Sequence, residues 1–186
     1  MTRKRYAAPQ SPIPNPQSPI PNPQSPIPNP QSPIPIPPLP MLALIQRVTS
    51  ASVTVDGTTV GAIGPGLLAL VGIEPGDDEP QVARMTTRLL GYRVFADDQG
   101  RMNRSLADSG GGLLLVSQFT LAADTRSGMR PGFSTAADPG EAERIFGRLL
   151  ESCRKNHPPG VETGRFGAHM VVSLVNDGPV TFLLKA

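Results

Sequence analysis

The chain has 186 residues, with 17 Lys+Arg, 15 Asp+Glu, 23 Pro and one Cys. Residues 1–40 hold 15 of the prolines and three of the basic side chains but no acidic one, so residues 41–186 carry 14 basic against 15 acidic groups. That near-neutral stretch is no evidence for a nucleic-acid-binding body, which would carry a basic excess, so any RNA contact rests on a local patch. The lone Cys153 excludes an internal disulfide and any multi-cysteine metal site.

A reducing, cytoplasmic location is the simplest expectation from one cysteine. No apolar run reaches the ~18 residues of a membrane helix, so no membrane association is expected. The charged stretch Met1–Tyr6 has no apolar run behind it to make a signal peptide.

The first segment is a repeat. QSPIPNP occupies 10–16 and recurs at 17–23, at 24–30 and, altered at its end, at 31–37. Proline at this density blocks helices and sheet ladders and leaves little to bury, which predicts a disordered tail over residues 1–40. The stretch contains one PxxP match, Pro35–Pro38, so a proline-groove ligand is one reading of it. Another comes from the genetic code. Tandem copies of CCCAATC, read in frame, translate as Pro-Asn-Pro-Gln-Ser-Pro-Ile, the order found from Pro14 onward. On that reading a short DNA repeat lies upstream of a gene whose start is Met41.

Residues 41–186 are one domain by length. Met41–Val55 is β-rich, Asp56-Gly57 marks a turn, and Thr58–Ile63 returns as a strand. Gly64-Pro65-Gly66 is a second turn, before the buried apolar run Leu67–Ile73. Asp77–Tyr92 is helical, with Val82, Met85, Leu89 and Leu90 on one face and Asp77 or Asp78 as cap. Arg93–Ala96 is a short strand and Asp97–Gly112 mostly loop. Leu113–Phe119 is the most central strand, followed by a long loop, Ala122–Ser134. Pro139–Asn156 is a second helix with Ala142, Ile145, Phe146, Leu149 and Cys153 inward. Strands close the chain at Val161–Phe166, His169–Val175 and Val180–Leu184, the last two joined by a hairpin at Asn176-Asp177-Gly178. Two main helices over two packed β-layers, a three-layer α/β/β domain, is the expected fold.

Neither histidine sits in a recognisable catalytic setting. His157 reads as a solvated helix-end residue and His169 as strand-edge packing. Cys153 reads as core rather than nucleophile. Three short clusters remain. Ser117-Gln118-Phe119-Thr120 ends an otherwise apolar strand, where alternation sends Ser117 and Phe119 to one face and Gln118 and Thr120 to the other. Gly128-Met129-Arg130-Pro131-Gly132-Phe133 is a loop stiffened by proline. Asn176-Asp177-Gly178-Pro179 puts a proline, with no N–H for a ladder, where a strand should begin. Singly, these are consistent with a satisfied strand end, a surface turn and an awkward hairpin.

In this order they carry a resemblance. MLALIQRVTSASV at 41–53, SQFTLAADT at 117–125, GMRPGF at 128–133, TGRF at 163–166 and VSLVNDGPVT at 172–181 resemble the D-aminoacyl-tRNA deacylase family. Gly132 departs from the serine expected there. The family also starts at the position of Met41.

The resemblance implies hydrolysis of the ester joining a D-amino acid, or glycine, to the 3′ end of tRNA, with no cofactor and no metal. The partners it implies are tRNA and a second copy of the chain, not DNA. It places the reaction at Ser117, Gln118, Phe119 and Thr120. It also implies a cis Gly178-Pro179 from the neighbouring subunit that rejects L-amino acids with backbone carbonyls. The X–Pro bond is the one peptide bond that takes cis at only ~0.5–1 kcal/mol. Gln46, Arg47, Met129, Pro131 and Asn176 are expected to support the site, and Arg126, Arg130 and Arg165 to contact phosphate or ribose. Thr120 lacks an evident activating base. Water activated with help from the substrate's own ribose hydroxyl, and a backbone oxyanion donor at Phe119 or Thr120, is the favoured chemistry over a Thr120 nucleophile.

Overall fold

The computed structural model describes residues 41–126, 128–133 and 136–186. The expectation of a disordered repeat at 1–40 lies outside these residues.

The first strand, β1 (Leu42–Val55), is long enough to serve two neighbours along one edge. Its first half pairs antiparallel with β3 (Gly66–Gly72) and its second half with β2 (Thr58–Ile63). The turn into β2 has Asp56 and Gly57 both at positive φ (48° and 77°), the two-residue geometry that matches strand twist. β6 (Gly112–Ser117) lies parallel to β3, and β7 (Val161–Thr163) parallel to β6. Each parallel step needs a crossover. These are supplied by α1 (Glu79–Gly91) and α3 (Pro139–Asn156). The last strand, β8 (Val171–Lys185), runs along the other edge of β1 for most of its length.

Alternation along the central strands feeds two cores. Leu67, Ala69, Val71, Leu113 and Leu115 face the helices, where Met85, Leu89, Ile145 and Leu149 close over them. Leu68, Leu114 and Val116 face the other way, against Val48, Ala51 and Val53. The second core is enclosed because the sheet curls until β2 crosses β7. A Cβ on Gly61 would come within 2.5 Å of the Thr163 carbonyl oxygen. The two β-layers of the expected sandwich are thus the two ends of one six-stranded sheet threaded by β1.

Several local expectations are revised. Asp78 caps α1, its N–H bonded to Gln81 Oε1 at 3.1 Å, while Asp77 is buried. The expected short strand is β4 (Phe95–Ala96), and the expected loop 97–112 contains its ribbon partner β5 (Met102–Arg104) and a one-turn α2 (Leu106–Ser109) capped by Ser105. His157 is not solvated. It is buried where α3 ends, its Nε2 2.8 Å from the Gly111 carbonyl oxygen, which joins that end to the strand-leading loop.

The largest revision concerns the hairpin. Residues 171–175 and 181–185 do not pair with each other but both pair with β1. Gln46 lies opposite Thr181 and Val48 opposite Asn176, so the intervening residues are extruded from one continuous edge strand. Local sequence signals a turn equally in both arrangements. Only the length of β1 selects the bulge.

Candidate active site

The polar strand end is built by a change of backbone. β6 stops at Ser117, opposite Val71. Gln118 still donates its N–H to the Val71 carbonyl oxygen (2.7 Å), and a 3-10 turn then spans Phe119–Ala122. Strand alternation therefore ends before Phe119. Gln118 and Thr120 are joined instead by a short hydrogen bond from Gln118 Nε2 to Thr120 Oγ1. Thr120 is exposed, and Phe119 is 63% exposed. The N–H groups of Phe119 and Thr120 open the turn and have no acceptor within it.

The glycine-proline loop is tied to this strand end. The Phe119 and Phe133 rings lie 5.4 Å apart, and Asp124 and Gly132 exchange backbone hydrogen bonds of 2.8 and 2.9 Å. The pairing ends the loop beside the turn and leaves Met129 wholly exposed, with Arg130 and Pro131 exposed beside it. A Cβ at Gly132 would meet Asp124 only at ordinary contact distance (3.6 Å), so the expected serine would also fit.

Of the three arginines expected at RNA, Arg126 is engaged. It grips Asp124 through Nε (2.9 Å) and Nη2 (2.7 Å). These hydrogen bonds hold the Asp124 carboxyl well below the usual range and raise the guanidinium. Arg130 and Arg165 are exposed and make no ion pair among the described residues.

The extruded corner is braced from two sides. Asn176 closes it: Oδ1 accepts from Val180 N–H (3.0 Å), and Nδ2 reaches the Val180 carbonyl oxygen and Thr181 Oγ1. Gln46 Nε2 donates to the same hydroxyl at 3.3 Å. Arg47 donates through Nε to the Asp177 carbonyl oxygen (3.1 Å) and pairs with its carboxylate (3.0 Å), while Nη1 holds the Val94 carbonyl oxygen. Gly178-Pro179 is cis and exposed.

The strand end and the corner are not together in one chain. The corner is extruded opposite Arg47, which aligns with Leu67 and Leu113. Ser117 lies farther along β6, and β3 and β1 stand between. At ~4.8 Å per strand and ~3.3 Å per residue the two motifs are roughly 20 Å apart. Sequence reasoning missed two contributors, the Phe119–Phe133 contact and the Val94 carbonyl. Neither has a local signal, because each depends on segments distant in the chain.

The fold places the chain in a structural class that it shares with solved proteins. It matches a solved structure described as "Structural Analysis of a probable eukaryotic D-amino acid tRNA deacylase" with a TM-score of 0.70 at 14% identity, over 78% of this chain and 99% of that one. It also matches "c-Myc DNA Unwinding Element Binding Protein" with a TM-score of 0.75 at 40% identity, over 78% and 98% of the two chains. Sequence narrows the class. The protein named D-aminoacyl-tRNA deacylase of Stenotrophomonas maltophilia (strain K279a) is 77% identical over 145 residues, 78% of this chain and 99% of that one. Its namesake in Xanthomonas campestris pv. campestris (strain 8004) is 75% identical over the same shares. The model of the family described as D-Tyr-tRNA(Tyr) deacylase matches residues 44–185, and the chain belongs to that family.

Proposed function

We propose that this protein is a D-aminoacyl-tRNA deacylase that hydrolyses the ester between a D-amino acid, or glycine, and the terminal ribose of tRNA. One observation carries the reading: its two family motifs are both exposed, yet stand far apart within one chain. Separation of that kind supports a site completed by a second subunit, whose Gly178-Pro179 corner meets the first subunit's Ser117–Thr120. Backbone carbonyls at that corner exclude any side chain pointing at them, whatever its chemistry, so the pocket tests handedness rather than identity.

The chemistry asks little of side chains. Water attacks the ester carbonyl carbon, helped by the vicinal ribose hydroxyl. The N–H of Phe119 or Thr120 stabilises the oxyanion. The bond to the ribose oxygen then breaks, and that oxygen takes the proton. Among the described residues the Thr120 hydroxyl has no titratable hydrogen-bond partner, which supports water over Thr120 as the nucleophile. No cofactor enters. Arg130 and Arg165, with Arg126 held on Asp124, contact the tRNA backbone, and the protein works in the cytoplasm beside its substrate.

The second subunit meets β8. This edge strand presents Val171, Leu174, Val175, Phe182 and Leu183, each at least 37% exposed. An apolar sheet edge left open is an association surface. Sedimentation equilibrium is expected to give a dimer, with Leu183→Asp shifting it to monomer. The defining experiment compares matched D- and L-aminoacyl-tRNAs. Hydrolysis of the D-ester alone is expected, and cleavage of both enantiomers or of neither overturns the reading.

A non-catalytic DNA-binding role is the second reading, raised by the name of the 40%-identical structure. It predicts tight duplex binding without ester turnover. The near-neutral charge of residues 41–186 disfavours it, since such binding draws on phosphate neutralisation.

A further inference from the structure

Between β3 and α1 the chain buries two carboxylic acids. Glu74 and Asp77 are each 4% exposed. They are linked through backbone: Glu74 N–H donates to Asp77 Oδ2 (2.8 Å), and Asp77 N–H to the Glu74 carbonyl oxygen (3.2 Å). That leaves Glu74 Oε2 and Asp77 Oδ1 buried without a hydrogen-bond partner among the described residues. No cation pairs with either acid there. Buried acids in this state are costly, because both desolvation and the like charge oppose ionisation. Accordingly burial pushes Asp77 up to about 6, and burial and then Asp77 raise Glu74.

Among the described residues the backbone N–H of Met41 also acts on the Asp77 carboxyl, opposing the upward push of burial. Met41 is fully buried. Its side chain belongs to the helix-side core, and its carbonyl oxygen accepts from Ala186 N–H at 3.0 Å. As an internal residue, Met41 offers a single neutral N–H. As a first residue, it offers an ammonium with two more donors and a positive charge. Among the described residues two oxygens are orphaned, and an ammonium would bring them two donors and one charge.

We propose that Glu74 and Asp77 form a receptor for the α-ammonium group of Met41, and that translation of the working protein starts at that residue. The remaining charges nearby agree. Ala186 meets Met41 through its backbone N–H, Asp78 is turned to its capping role, and Lys185 is exposed. Relatives fit as well: the stretch matched in Stenotrophomonas covers 99% of that protein but 78% of this chain. The inference is independent of the deacylase reading, and its tests do not use activity.

The protein purified from its native source is measured by intact mass and N-terminal sequencing. The expected result is a chain beginning at Met41, and peptides spanning Gln10–Pro38 overturn the start. The α-amine of that same protein is then titrated by competitive acylation. It is expected to titrate above the ordinary ~7.7–8.0, with Glu74→Gln and Asp77→Asn each restoring reactivity roughly tenfold near neutral pH, equivalent to one pKa unit. An α-amine reacting as an exposed one in the unsubstituted protein, or unmoved by both substitutions, overturns the receptor. Circular dichroism on the two near-isosteric variants confirms that the comparison is between folded proteins.

Discussion

Arg47 holds Asp177 twice, by Nε to its carbonyl oxygen at 3.1 Å and by an ion pair to its carboxylate at 3.0 Å. The same guanidinium also bonds the carbonyl of buried Val94, ahead of β4. One side chain therefore fastens the extruded corner of the edge strand to the helix-side layer. The arginine fork makes this possible, since its donors point in fixed directions that a lysine does not reproduce.

The two ends of this contact are expected to respond unequally. Arg47→Ala leaves the Val94 carbonyl oxygen unpaired, a loss of ~1–3 kcal/mol. Asp177→Ala removes only the half-exposed ion pair, worth ~0.2–1 kcal/mol after solvent screening, and keeps the backbone acceptor. Urea unfolding of both variants and of Arg47→Lys tests this ordering. Equal losses from Arg47→Ala and Asp177→Ala would refute it.

Gly178 has φ +152°, and a Cβ there would lie 2.5 Å from the Val180 nitrogen. Gly178→Ala must distort the corner, at a cost of ~1–3 kcal/mol. Residues 177–179 are exposed, so the expected effect is local. Deacylation falls at least tenfold, while the melting temperature moves little beyond that cost. Activity equal to the parent protein's would show that the corner takes no part in the site.

For Thr120 the expectation is retention. Thr120→Ala removes the hydroxyl bound by Gln118 but leaves the backbone N–H groups of the turn. Activity within about tenfold of the parent is expected, since loss of an oxyanion donor itself costs ~10²–10³. A tRNA ending in 2′-deoxyadenosine is expected to react far more slowly. Abolished turnover in Thr120→Ala, with binding intact, would instead establish a covalent threonine mechanism.

Cys153 is fully buried on α3, and burial pushes its thiol up to about 11. The thiolate is the reactive form. Native protein is therefore expected to resist alkylation at pH 8 and to react at once in denaturant, which mass spectrometry detects. The raised thiol pKa also gives a sign for stability. The native state keeps the proton that the unfolded state loses above ~8.5. Stability from this group is present below that pH and falls as pH rises toward 11. Cys153→Ser or Cys153→Ala is expected to remove that alkaline slope.

Local periodicity was enough for much of the fold. The inward faces of α1 and α3, at Val82, Met85, Leu89 and at Ala142, Ile145, Leu149, are where the helical repeat puts them. The runs expected as strands at 67–73 and 113–119 hold the central strands, the second ending at Ser117. Periodicity failed where one signal serves two structures. Asn176-Asp177-Gly178 turns a chain equally well in a hairpin and in a bulge. Gln118 and Thr120 leave strand alternation because the chain winds into a 3-10 turn at Phe119. His157 follows a helix in sequence but is buried against Gly111 by packing.

Sequence by itself determined the two long helices, the central strands, the family and the identity of the motif residues, because each is written in residues close together in the chain. Tertiary structure alone decided that β8 is one edge strand rather than a hairpin, and that Phe133 returns to Phe119. It also decided that Arg47 spans from Asp177 to Val94, and that Glu74 and Asp77 are buried together. These contacts join residues far apart in the chain, and they are fixed by sheet register and burial, which no local pattern records.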